Sequence, residues 1–361
     1  MKGSVVRKYF AVVLLSAVCA AGSVALGQNS GPILFWNLEN YFDPFDDSLT
    51  RDEEFTPKGR RHWSWKRFEY KRNFIAKVLI SIKDIAGGFP VVAGFSEVEN
   101  RMVLEQLVTN TPLVKLGYKV IHRDSPDRRG IDVAMIYREE FFTPLGVQSI
   151  GVHLPDSAST RDILQVEGIL KSANQRADTV VLFVVHFPSK ISGAKHSSSR
   201  REIAAKTLRE AINNIQGRNF PECLLKSGSM PQRTIIVMGD FNDTPNSEVF
   251  DLFREDFRIL GEQFLSGGGT DANLYGNLKK DVEQGNLEVV SGSIKYRGVW
   301  ELIDNFMVSG PDWEKWKFGI FGARMLLEVD FQYLGLKPRR TFIGPSYNAG
   351  VSDHLPVFIM L

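Results

Sequence analysis

The sequence predicts a single-domain α/β fold. Three observations carry that expectation: short continuous apolar runs, two amphipathic helical segments, and the interleaving of the two along the chain. The runs are Pro32 to Trp36 before Asn37, Val91 to Phe95 before Ser96-Glu97, Ile131 to Tyr137, Val180 to Val185 before His186, Ile235 to Met238 before Gly239-Asp240, and Leu302-Ile303 before Asp304. Continuous β-branched stretches of this length read as strands buried on both faces. A strand that ends in a polar residue delivers that residue to the rim of its sheet, and several such rims suggest one shared site.

The first helix is expected over 64–86, where Phe68, Ile75, Val78, Leu79 and Ile82 recur at helical spacing and Gly87-Gly88 supplies the stop. The second is expected over 200–216 behind the capping-box pattern Ser199-Arg200-Arg201-Glu202, with Ile203, Leu208, Ala211, Ile212 and Ile215 on one side. Ile163 to Leu170 alternates around Gln165 and Glu167 and predicts a half-exposed strand. Residues 261–298, rich in Gly, Asn and Lys, predict a long loop near the site.

The N-terminus carries Lys2, Arg7 and Lys8, an apolar stretch from Tyr9 to Ala21, and Ala25-Leu26-Gly27. That is the layout of a secretory signal, with the mature chain expected from Gln28 and export to the periplasm or beyond. The apolar run is shorter than the roughly 20 residues a membrane-spanning helix needs. Ser16-Ala17-Val18 fits poorly before a lipidated Cys19. Removing residues 1–27 takes away three of the 44 basic residues and none of the 42 acidic ones, turning a formal +2 into −1. Such a chain is no general nucleic-acid binder. Of two cysteines only Cys223 remains, which excludes an intramolecular disulfide. No linker or repeat divides residues 28–361.

Gly239-Asp240-Phe241-Asn242-Asp243-Thr244-Pro245 places a carboxylate and an amide two residues apart behind a buried strand, able to orient a water or steady a phosphoryl group. Taken alone it serves equally as a hydrogen-bonded turn. Taken alone, the pair Asp353-His354 and the strand-ending His186 are read more readily as structural, and only their company changes that. Glu97 ends a buried strand, where an unpaired carboxylate is costly without a cation. The run Lys58 to Arg67, with Trp63 and Trp65, suggests either a phosphate track or, more simply given Asp52-Glu53-Glu54 upstream, the entry to an amphipathic helix.

Together with Trp36-Asn37-Leu38-Glu39-Asn40, these motifs resemble the endonuclease/exonuclease/phosphatase superfamily, which includes deoxyribonuclease I, abasic-site endonucleases, neutral sphingomyelinases and inositol polyphosphate phosphatases. The strings Trp36 to Asp43, Asp52 to Pro57 and Arg129 to Ala134 resemble a secreted subgroup typical of Bacteroidetes. The resemblance implies a four-layer α/β sandwich, two mixed β-sheets face to face with helices outside. It implies Mg²⁺ or Mn²⁺ at Asn37, Glu97 and Asp353, a choice that hard oxygen ligands suit.

By the same resemblance Asp240 orients or deprotonates the attacking water with Asn242 beside it, and His354 contacts a non-bridging oxygen, held by Asp304. His186 stands where the deoxyribonuclease and sphingomyelinase branches have a catalytic histidine. Arg129, Tyr296, Lys195 and Arg200 are candidates for substrate contact, the last two near a helix N-terminus that favours anions. The expected substrate is a phosphodiester, nucleic acid among the options. A phosphomonoester or phospholipid headgroup is the alternative, with Trp313, Trp316 and Phe318 as candidates for an exposed apolar hairpin. An inactive binding scaffold is the third reading, against which every core motif residue is present. A monomer without a stable protein partner is expected.

Overall fold

Strand β1 (Ile33–Tyr41) is the first apolar run, and it lies at the centre of a six-stranded mixed sheet. The computed structural model describes residues 31–155, 158–171, 177–190, 194–216, 233–266, 282–311 and 315–360. The expected signal segment, Cys223 and Trp313 lie outside the described residues. β1 pairs in parallel with β2 (Val92–Val98), and beyond β2 come β4 (Asp132–Arg138) and β3 (Tyr118–His122), both antiparallel. The second sheet runs β5 (Phe142–Ile150), β6 (Ile163–Lys171), β7 (Ala177–His186), β8 (Thr234–Asp240), then β12 (Asp304–Ser309) and β9 (Arg258–Ile259). Two small antiparallel hairpins flank its end: β10 (Ile294–Tyr296) with β11 (Val299–Glu301), and β14 (Leu327–Val329) with β15 (Leu336–Pro338). β13 (Lys317–Ile320) and β18 (Val357–Met360) close the first sheet, and β16 (Phe342–Ile343) pairs with β17 (Ser346–Tyr347) in a further hairpin.

The two-residue period of a strand assigns each face. On β7, Val180, Leu182 and Val184 join the core shared with the first sheet, while Val181, Phe183 and Val185 pack with Ala204, Leu208 and Ile212 of the long helix α4 (Ala194–Gln216). The sheets pack closely at Gly94, where an added Cβ would lie 2.9 Å from Met238 Sδ and 3.3 Å from both Val184 methyls. Helix α1 (Trp65–Ser81) covers the outer side of the first sheet with Phe68, Ile75 and Leu79, next to α3 (Arg101–Thr109). The expected four-layer sandwich is therefore present, and among the described residues no helix is long and apolar enough to cross a membrane.

The first helix appears as α1 followed by a short turn, α2 (Lys83–Ala86), stopped at Gly87 in the left-handed conformation. Four expectations need correction. Helix α4 starts at Ala194, so Ser199 sits inside it and does not cap it. β6 is not half-exposed at Gln165, which is buried and donates to Glu167; the strand is only partly buried at Glu167 and from Ile169 to Lys171. The region 261–298 is structured at both ends, by α5 (Leu260–Ser266) and by β10. Trp316 and Phe318 are buried, Phe318 stacking edge-on against Phe264 and Phe306, and offer no exposed apolar hairpin. In the basic-aromatic run, Trp63 is buried with Nε1 donating to the carbonyl of Phe42, and Arg61 and Arg67 lie over Phe342 and Tyr347. Packing, not an open phosphate track, explains that composition.

Candidate active site

Ladder register builds the site. His186 at the end of β7 pairs with Asp240 at the end of β8, and Asp240 pairs across with Asp304 at the start of β12. Even-numbered residues of these strands face the other sheet, so three chemically capable side chains form one row at the rim of the inter-sheet core. From the facing sheet, Asn37 at the bulge in β1 crosses the seam, its Nδ2 donating to Asp240 Oδ2 at 3.0 Å and leaning toward Glu97 Oε1 at 3.4 Å. Its Oδ1 accepts from the backbone of Glu39 at 2.9 Å, which fixes the amide's orientation.

Backbone strain concentrates here. Glu39, Asn40, Glu97 and Asn242 all have positive φ, between 45° and 58°. For a glutamate this region is costly and persists only where the surroundings dictate it. In β1 and β2 it coincides with register shifts that turn Glu39 and Glu97 out of the pleat. Asn40 N then donates to Glu97 Oε2 at 2.9 Å.

His354 Nδ1 lies 2.7 Å from Asp304 Oδ2, and its Nε2 is 3.9 Å from Asp240 Oδ2, toward which His186 Nε2 also points at 3.6 Å. Burial works to discharge His354, but the charge and hydrogen bond of Asp304, with Asp240 and Asp353 adding, hold it well above the ordinary imidazole range. His186 goes the other way: burial, with the positive charges of Arg161, Arg129 and His354, holds it well below that range. Burial and the neighbouring Asp304 raise Asp240 to about 7, against His354 and the amides of Asn242 and Asn37. The two histidines are thus pushed apart in proton affinity while Asp240 is raised beside them, the kind of separation that distinguishes an acid from a base in one site.

Asn242 is fixed from both sides, its N–H donating to Asp240 Oδ1 at 2.8 Å and its Nδ2 to the carbonyl of Phe187 at 3.0 Å. The same carbonyl accepts from Arg161, a buried residue the sequence reading missed. The Asp353-His354 turn is held by the hydroxyl of Ser352, which donates to the carbonyl of Asn37 and accepts from the backbone of His354, and by Trp36 Nε1 donating to the carbonyl of His354. Asp304, Asp240 and His354 bring ligand-type atoms within 4.8 Å of one another, with His354 and Asp304 bonded to each other. The other such group, His122 with Asp124 and Asp132, is internally bonded, His122 Nε2 to Asp132 at 2.9 Å and Ser125 to the second oxygen.

Residues 32–361 match the family model described as the Endonuclease/Exonuclease/phosphatase family. The chain belongs to the endonuclease/exonuclease/phosphatase family. Solved structures similar to it include an endonuclease/exonuclease/phosphatase family protein from Bacteroides thetaiotaomicron (15% identity, TM-score 0.51, 92% of this chain and 98% of that one). A mannosyl-6-phosphatase from the same organism is similar at 15% identity and TM-score 0.51, over 91% of this chain and 98% of that one. Truncated Caenorhabditis elegans TDP2 follows at 14% and 0.50, over 92% and 97%. At these identities the likeness is one of fold. No curated protein matches the sequence.

Against that family's pattern, Asn37, Glu97, His186, Asp240, Asn242, Asp304, Asp353 and His354 converge on one rim. The four substrate-contact candidates are less uniform. Arg129 stands at that rim close enough to feel Glu97, but its guanidinium is bonded to Asp127 at 3.1 and 3.2 Å. Tyr296 is exposed on β10, two residues beyond Ile294, which bridges to His354. Arg200 lies in the first turns of α4, and the side chain of Lys195 lies outside the described residues. Their neighbour Arg201 is buried on Asp243 at 3.0 Å.

Proposed function

We propose that this family member is a divalent-metal-dependent phosphodiesterase that hydrolyses its substrate by in-line attack of water. The single observation that carries the reading is the convergence on Asp240 Oδ2 of Asn37 at 3.0 Å, His186 at 3.6 Å and His354 at 3.9 Å. A carboxylate raised to about 7 and surrounded by donors at the rim of the inter-sheet core suits a base that orients and deprotonates a water.

The donor set fits a hard cation. Glu97 and Asp353 offer carboxylate oxygens, and Asn37 bonds Glu97 through its amide hydrogens, so it orients the carboxylate while its own oxygen is spent on Glu39. When bound there, Mg²⁺ or Mn²⁺ neutralises charge on the phosphoryl oxygens. His354, kept cationic by Asp304, donates to a non-bridging oxygen, and Asn242 supports the same group. His186, kept neutral, donates a hydrogen bond from its ring N–H toward the leaving oxygen, which takes its proton from solvent as it departs. Arg129 and Arg200 would meet flanking phosphates and Tyr296 a base or sugar; the basic start of α4, with Lys195, supports nucleic acid as one substrate.

A second reading, a phosphomonoesterase or phospholipid headgroup hydrolase, draws on a different observation. Tyr296, Val299, Phe331 and Leu334 are exposed on the two hairpins beside the site and offer the apolar rim that Trp316 and Phe318 do not. The chain from Gln28 onward is proposed to be an exported monomer. Purified protein assayed on plasmid DNA, a phosphomonoester and phospholipid vesicles, each with Mg²⁺, Mn²⁺ or EDTA, separates the readings. Metal-dependent DNA cleavage lost in Asp240→Ala and His354→Ala is expected. Cleavage that survives both substitutions in a nuclease-free preparation sinks the assignment.

A further inference from the structure

A second concentration of charge adjoins the metal side and shares only Asp353 with the chemistry above. Glu39 is buried at the left-handed end of the β1 bulge, and both its oxygens are engaged. Oε2 accepts from the backbone of Thr341 at 2.8 Å and Oε1 from Arg340 Nε at 3.1 Å. Arg340 Nη2 lies 2.9 Å from Asp353 Oδ2. The guanidinium therefore bridges the two carboxylates that flank Glu97's side of the cleft, and it lies close enough to feel Glu97 as well.

Three features make this a built arrangement. The Arg340 carbonyl accepts from Gly350 N at 3.1 Å and Asn348 Nδ2 at 3.2 Å. A Cβ at Gly350 would overlap the carbonyl oxygens of Arg339 and Arg340, so the segment leading to Ser352-Asp353-His354 can lie there only because that residue is glycine. Beneath Glu39, Lys71 of α1 is 0% exposed, its Nζ donating to the Glu39 carbonyl at 2.7 Å and to Thr341 Oγ1 at 2.9 Å. Burying an ammonium is costly unless it answers to nearby negative charge, and here the charges are Glu39, Glu97 and Asp353.

Two-metal phosphoesterases hold their ions roughly 3.5–4 Å apart on shared carboxylates. In this chain the second carboxylate pair, Glu39 with Asp353, already holds a cation. We propose that Arg340 is the fixed second cation of the site: it occupies the Glu39–Asp353 gap, limits the chain to one divalent ion on the Glu97 side, and donates from Nη1 to the bound phosphoryl group. The contacts to Glu39 and Asp353 use Nε and Nη2, and the side chain is 51% exposed, which leaves Nη1 for a phosphoryl oxygen. Asp353 Oδ1 is left for the first ion. The phosphoryl contact rests on the phosphoesterase reading; the exclusion of a second ion does not.

Equilibrium dialysis against Mn²⁺ on the full chain, with inorganic phosphate titrated calorimetrically into the Mn²⁺-loaded protein, tests both halves without turnover. Wild type is expected to bind one Mn²⁺. Arg340→Met is expected to bind a second and to lose about tenfold in phosphate affinity, the size of one charge-assisted hydrogen bond. Arg340→Lys, which keeps the charge and loses the fork, is expected to return to one ion with phosphate affinity between the two. Two ions in wild type overturn the proposal even if neither variant folds, and so does an Arg340→Met protein with unchanged stoichiometry or unchanged phosphate affinity. A wild type that binds one ion and phosphate but cleaves no phosphoester overturns the proposed activity instead.

Discussion

His354 reaches Asp304 at 2.7 Å through Nδ1, and Asp304 is itself the ladder partner of Asp240, so the residue that fixes the histidine's charge also raises the base. Proton affinity at one position is coupled to proton affinity at the other through a single hydrogen-bonded strand pair. In the proposed mechanism this ties the acid and base roles together more tightly than separate loops would.

That coupling makes His354 and Asp304 one functional unit. Asp304→Asn and His354→Gln should each lower kcat by about 10²–10³-fold, the range for losing a charge-stabilising donor. The double variant should be little worse than either single one, because groups acting as a unit are non-additive. Multiplicative losses measured at saturating substrate would show that the two act independently.

Gly94 sets the spacing between the sheets. Gly94→Ala places a methyl 2.9 Å from Met238 Sδ and is expected to cost about 1–3 kcal/mol by overpacking. Met238→Ala, which alone should cost about 2–5 kcal/mol by leaving a cavity, should cost less in the Gly94→Ala chain than in the wild type, since there it removes the obstructing atom.

Burial, with Asp43 and Asp52 nearby, raises Glu99 to about 9. Its Oε2 accepts from Asp43 N, while its protonated carboxyl faces Asp52, whose Oδ1 is buried without another partner. An unfolded Glu99 releases its proton near 4.5 and the folded one only near 9, so stability is highest below that window and falls as pH rises through it. Glu99→Gln, which presents an amide hydrogen to Asp52, should flatten the slope and melt at least about 2 °C higher at pH 8. A Gln variant whose melting temperature keeps the wild-type pH slope would place the effect elsewhere.

Chelation should abolish activity and leave the fold. Restoring Mg²⁺ or Mn²⁺ to a hundredfold excess over Kd should recover turnover and raise the melting temperature by about 3–6 °C, since a ligand at that excess adds roughly 2.7 kcal/mol. Glu97→Ala should show no such shift in differential scanning calorimetry.

The strand-end chemistry was legible because a polar residue closing a β-branched run has few other reasons to stand there. His186, Asp240 and Asp304 were each placed at a rim from sequence, but their alignment in one row is a property of register, which the local pattern does not encode. Arg340 and Arg161 were missed for a related reason. Arg340's partners Glu39 and Asp353 are 301 residues away on one side and 13 on the other, and an arginine in a loop looks like any solvated charge until the chain closes. Lys71 was hidden inside the amphipathic pattern of α1, where a lysine ordinarily faces water.

The hydrogen bond from Asn37 to Asp240 spans the seam between the sheets, so the distance on which the chemistry depends is also the thickness of the core. Catalysis then works as a gauge of packing. A substitution deep in that interior which swells it by a few tenths of an ångström should slow turnover while the protein still melts cooperatively. Rate, measured across a series of core variants, would report the intersheet gap more finely than stability does.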